Sequence, residues 1–255
     1  MGVVVGLGYF LIALGPALTI FFSSIAPKPF LTLTVLASAL IYLVSLVAAA
    51  IIWRAFLPGP SWVFLLMLAT AVFIQEVTRI FYWRFFLKTE KYLNVLAVKL
   101  SKPQLNFVDR LEVSFASGVG HGVAHAIFFG LSVIAPAFGP ATYYTESCKE
   151  MPFFLVSALL TLAFFLLHTF SMVIAFNAYT HGVGSQKLFV PVMHLGASFL
   201  TLINLLPNGC IVGVPLVFLC TLVTMVYGDR IVWENTDPNF LNHSSLQSMH
   251  SGSSL

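Results

Sequence analysis

Leu166-Leu167-His168-Thr169-Phe170 places a histidine deep inside an apolar stretch running from about residue 152 to 177. The next stretch repeats the arrangement with His194-Leu195-Gly196-Ala197-Ser198. An imidazole in hydrocarbon is costly unless it faces a neighbouring helix or a wet cavity, so both positions are candidate functional sites. Both readings presuppose a membrane, and the rest of the chain supplies one. Apolar stretches recur at about 3–25, 30–53, 61–87, 112–135, 152–177, 187–206 and 209–228. Each is close to the roughly 20 residues that a helix needs to cross a bilayer. The pattern predicts an all-α integral membrane protein with seven transmembrane helices.

Composition agrees. Hydrophobic residues make up 59% of the chain and charged residues 8%, with a mean hydropathy of +0.95. Soluble domains carry about 25% charged residues. The spans leave no room for a soluble domain, so residues 1–228 form one membrane domain. Residues 229–255, rich in Ser, Asn and His, read as a disordered polar tail. The first stretch lacks a basic n-region and is too long for a signal-peptide core, so it reads as a retained helix. Cys148, Cys210 and Cys220 are odd in number and lack C-x-x-C spacing. They suggest neither a metal knuckle nor a disulfide framework.

The net charge of +3 does not point to nucleic acid, because the basic residues gather beside the spans, where lipid is the neighbour. One set of alternate connections holds Lys28, Arg84, Lys88, Lys91, Lys99, Lys102, Arg110, Lys187 and Arg230; the other holds only Arg54 and Lys149. Nine against two puts the first set in the cytosol by the positive-inside rule. The N-terminus is then lumenal or extracellular and the C-terminus cytosolic. The short turn Leu206-Pro207-Asn208-Gly209 makes the sixth and seventh helices antiparallel neighbours.

The fourth span carries Gly118, Gly122, Ala126 and Gly130 at a spacing of four, one stripe of a helix. Small residues in such a stripe let another backbone approach closely, so the stripe is a helix-packing and assembly face. His121 and His125 share that helix four residues apart, a spacing able to share a metal. Further ligands are missing, and two histidines bonded to neighbouring helices or lining a wet crevice account for the pair. Glu76 and Arg79 stand three apart on the third helix and can pair there, which lowers the cost of both charges in lipid. Ser198 follows His194 by four, which favours a local hydrogen bond over a nucleophile–base arrangement. An intramembrane aspartyl protease needs two carboxylates that share a proton. Asp109, Asp229 and Asp237 all lie outside the apolar cores, so the chain cannot supply that dyad. No catalytic residue, cofactor or metal is assigned.

Several short motifs occur in order on these helices: Gly15-Pro16-Ala17, Leu43-Val44-Ser45-Leu46 with Trp53, and Gln75-Glu76-Val77 with Arg79. Ser117-Gly118 opens the glycine stripe, and the two histidine motifs follow with Ser198, Leu200-Thr201 and Asn204. In this order the chain resembles the anterior-pharynx-defective (Aph) subunit family of the γ-secretase complex. The resemblance implies a seven-helix, non-catalytic scaffold with presenilin, nicastrin and the presenilin-enhancer subunit as partners. It also implies residence in endoplasmic reticulum, Golgi, endosomal and plasma membranes. Gly118, Gly122 and Gly130 match the family's assembly stripe, and His168 and His194 its two intramembrane histidines. Ala126, the pair His121 and His125, and the tail depart from the pattern. The alternative is an independent seven-helix enzyme or transporter that uses its histidines.

Overall fold

The computed structural model describes residues 2–56, 63–139 and 143–236. Among them, seven helices are long and apolar enough to span a membrane: α1 (Val3–Ile25), α2 (Pro29–Phe56), α3 (Val63–Lys99), α4 (Phe107–Phe138), α5 (Phe153–His181), α6 (Gly184–Leu205) and α7 (Cys210–Thr236). The breaks at Leu57-Pro58-Gly59-Pro60 and Pro140, and the tail from Asp237 onward, lie outside the described residues.

α4 and α5 form the centre, with α2 packed on α4 and α7 on α5. The packing turns a soluble core inside out. On α2, Leu33, Leu36, Leu40, Val44, Val47 and Ile51 all point outward and are exposed. Ser38, Tyr42 and Ser45 of the same helix are fully buried. In lipid, apolar side chains gain nothing by leaving the surface, so close packing and polar contacts hold the helices together. That inverts the soluble rule: the outward face is apolar and the inward face carries the polar minority.

Local chemistry sets the helix ends. Asn106 caps α4 by accepting from the Asp109 amide, and the Asp109 carboxylate accepts from the Asn106 amide in return. α5 stops at Gly182, whose φ of +74° suits a residue without a Cβ. α6 begins only two residues later, so the polar run expected over Tyr179 to Lys187 is mostly helical. α4 widens into a π-helical turn over Ala126–Leu131 and tightens to 3₁₀ over Ala135–Phe138.

Three expectations need correction. The polar run from Lys88 was expected to end the third helix, but α3 continues to Lys99. Hydropathy detects where hydrocarbon ends, and Lys, Glu and Leu remain good helix formers beyond it. For the same reason α7 runs on to Thr236, past the boundary expected at residue 228, aided by an Arg230–Glu234 pair one turn apart. Finally, Cys148 and Cys210 form a disulfide with a Cα–Cα distance of 5.8 Å. It ties the α4–α5 connection to the start of α7 across a sequence separation of 62. No short spacing announces such a link, because the fold alone brings its ends together.

Candidate functional site, an intramembrane polar network

Five helices bring their polar side chains to one buried region. On α3, Arg79 Nη1 lies 2.6 Å from each carboxylate oxygen of Glu76. From α6, His194 Nδ1 approaches Glu76 Oε1 at 2.8 Å. The carboxylate can only accept here, so Nδ1 carries the proton. Glu76, Arg79 and His194 are all buried, with Arg79 only 1% exposed. The Glu76 carboxylate is thus met by a cation and an imidazole, and the expected Glu76–Arg79 pair acquires a third member.

The second histidine lies beside this triad. The rings of His168 and His194 meet edge to face with centroids 4.8 Å apart. His168 also stands 5.0 Å from the His125 ring and 5.4 Å from the Tyr42 ring. Neither nitrogen of His168 has a hydrogen-bond partner among the described residues. The contact between His168 and His194 is therefore made by ring packing. Nor does His194 bond to Ser198: its proton goes to the Glu76 carboxylate, a charge-assisted bond stronger than one to a hydroxyl.

α4 and α2 add two rungs. Tyr42 OH lies 2.9 Å from His125 Nδ1, and Ser38 Oγ lies 2.5 Å from His121 Nδ1. Ser38 already donates its one proton to the Ser117 carbonyl. His121 Nδ1 must then donate to Ser38, leaving Nε2 as an acceptor without a partner among the described residues. The rungs repeat because both helices place the paired residues four apart, one turn along each axis. Among the described residues, no three His, Cys, Asp or Glu side chains gather as a set able to hold a metal.

The other face of α4 has no side chains to offer. A Cβ on Gly122 would lie 2.6 Å from the Phe165 carbonyl oxygen and 2.7 Å from the Phe165 ring. One on Gly118 would lie 2.8 Å from Thr169 Cα, and one on Gly130 2.9 Å from Thr161 Cβ. Ala126, fully buried, continues the line. All three contacts are to α5. The stripe, read from the sequence as a helix-packing and assembly face, packs against the chain's own fifth helix. Gly120, on the far side, admits α2 in the same way at Val35 and Ser38.

A cavity of about 300 Å³ opens beside the network, lined by Trp53, Gln75, His125, Thr161, His194 and Ser198. Sequence reasoning missed Ser38 and Tyr42. Their signal was present on α2, where Ser38, Tyr42 and Ser45 recur at helical spacing in an otherwise apolar segment.

The comparison with known families is decisive. The model of the Aph-1 protein family matches residues 4–235. The chain belongs to the Aph-1 family. An Arabidopsis thaliana relative named gamma-secretase subunit APH1-like is 48% identical over 92% of this chain and 95% of its own length. The Drosophila melanogaster gamma-secretase subunit Aph-1 is 30% identical over 76% of this chain and 78% of its own. The Homo sapiens gamma-secretase subunit APH-1B is 28% identical over 76% of each. The network and the stripe both lie within the matched residues.

Proposed function

We propose that this Aph-1 chain is a non-catalytic scaffold subunit of a γ-secretase complex, assembling presenilin with nicastrin and the presenilin-enhancer subunit. The observation that carries the reading is the state of Glu76. It is the only carboxylate in the buried network among the described residues, and Arg79 and His194 occupy it. Asp109 is committed to a helix cap and Asp229 is exposed. Aspartyl proteolysis needs two carboxylates sharing one proton, so the protease chemistry of such a complex falls to another subunit. Here the histidines act as structural joints between helices.

The same reading places the N-terminus in the lumen or outside the cell and the C-terminus in the cytosol, within endoplasmic reticulum, Golgi, endosomal and plasma membranes. Two independent features support the orientation. Basic residues divide nine against two between the ends. The Cys148–Cys210 disulfide sits at the end poor in basic residues, and disulfides persist in oxidising compartments.

The direct test is a mild-detergent pull-down of the full-length chain with identification of the co-purifying membrane proteins. Recovery of the three partners supports the scaffold; a solitary chain with its own hydrolytic or transport activity overturns it. Orientation has a separate readout. Asn242-His243-Ser244 is a glycosylation sequon near the C-terminus. It stays unmodified in cells if that end is cytosolic, and glycosidase-sensitive mass on Asn242 would reverse the topology.

A further inference from the structure

At about 1.5 Å per residue, the 37 residues of α3 extend roughly 55 Å, against a hydrocarbon core of about 30 Å. Its last three turns therefore pass through the headgroup layer or beyond. At about 100° per residue, Arg84, Lys88, Lys91 and Lys99 fall within one arc of roughly 120°. Tyr92, Val95 and Val98 fall within the same arc. All seven side chains are exposed; Tyr92 is 76% exposed, Val95 51% and Val98 61%. No acidic residue lies on this face. The acid of the segment, Glu90, is on the opposite side, 2.5 Å from Arg110 of α4. Asn94, just outside the arc, accepts from the Leu105 amide. Among the described residues none of the four cations of the outer face is ion-paired, and Lys91, Val95, Val98 and Lys99 edge a groove whose far wall holds the Glu90–Arg110 pair.

We propose that this outer face of α3 is a binding site for anionic phospholipid headgroups. The interleaving of cations with Tyr and Val selects that occupant. Lysine and arginine stems lie along apolar surface while their charged ends reach phosphate, and tyrosine suits the interfacial layer. Nucleic acid would engage the cations but leave Val95 and Val98 in water. The face is exposed along the part of α3 that outruns the hydrocarbon core. Which leaflet it meets rests on the orientation proposed above, and anionic lipid is concentrated in the cytosolic one.

The test is native mass spectrometry of the assembly purified through the full-length chain, titrated in detergent with phosphatidylserine and, separately, phosphatidylcholine. Wild type should prefer phosphatidylserine. The triple variant Lys88→Gln, Lys91→Gln, Lys99→Gln should lose about fivefold of that preference per lysine, on the order of 100-fold in all. Replacing the same three lysines by arginine should preserve it, and raising salt should shrink it. The proposal is overturned if the glutamine variant keeps its preference, or if an RNA oligonucleotide displaces the lipid from wild type. The measurement does not depend on which side of a membrane α3 faces. A wrong orientation, revealed at Asn242, therefore cannot be mistaken for a missing lipid site.

Discussion

The two faces of α4 solve the same problem by opposite means. Toward α5 the helix presents Gly118, Gly122, Ala126 and Gly130, and attachment comes from backbone brought against backbone. Toward α2 a single close approach at Gly120 is joined by His121 and His125, which hydrogen-bond to Ser38 and Tyr42. Lipid offers helices no hydrophobic reason to associate, which leaves these two devices. They differ in tolerance. The glycine face depends on the absence of atoms, so any added side chain displaces a whole helix. The histidine face depends on matched donors and acceptors, which another matched or apolar pair can replace.

The harshest way to break the glycine face is Gly122→Leu. Even a Cβ would sit 2.6 Å from the Phe165 carbonyl oxygen, which belongs to the α5 backbone and cannot rotate aside. Overpacking typically costs about 1–3 kcal/mol when side chains can adjust, and more when they cannot. The expected outcome is loss of a monodisperse, folded chain in detergent, with co-purifying subunits lost as a consequence. Gly196→Ala, where nothing lies within 4 Å, should leave the chain unchanged in the same chromatography. If Gly122→Leu folds normally and loses only its partners, another subunit contacts the stripe after all.

The polar face extends beyond α4 through the ring contacts of His125, His168 and His194 to the charged pair on α3. Glu76→Gln tests that far end. It leaves the Arg79 guanidinium buried without its carboxylate, and removing one member of a buried pair costs about 3–5 kcal/mol. Thermal unfolding in mild detergent should show a large loss. His194→Ala, which removes a partner but leaves Glu76 paired with Arg79, should cost less, about 1–3 kcal/mol. Equal effects would mean that His194 and Arg79 neutralise the carboxylate as one unit.

The sequence disclosed the two devices unequally. Seven spans were legible because hydropathy measures directly what lipid selects. The stripe was legible as a packing face because few purposes other than close approach place small residues at every fourth position. Its occupant was not, since a groove carries no mark of whether α5 or another protein fills it. Glu76 and Arg79 were legible as a pair because both lie on one helix, whereas His194 joins them across a sequence separation of 118. Ser38 and Tyr42 escaped notice because hydroxyls are common in membrane helices and acquire meaning only opposite His121 and His125. The disulfide escaped for the related reason that its two cysteines lie in segments joined only by the fold.

The mildest perturbation separates the two faces most sharply. Tyr42→Phe removes one oxygen and leaves Nδ1 of the half-buried His125 without the partner it has at 2.9 Å. An orphaned buried polar group costs about 1–3 kcal/mol. His125→Phe alone orphans the Tyr42 hydroxyl, which is fully buried, and should cost a similar amount. When both partners become apolar groups of similar shape, no unmatched group remains, and the change can be nearly neutral. The double variant Tyr42→Phe, His125→Phe should therefore be more stable than either single variant. Its coupling in a double-mutant cycle, read from unfolding temperatures in mild detergent, should be of opposite sign to the single losses. No second substitution should rescue Gly122→Leu in this way, because its clash is with the α5 backbone. Strictly additive losses at Tyr42 and His125 would mean that the rung is held by ring packing and that the two faces of α4 obey the same rule.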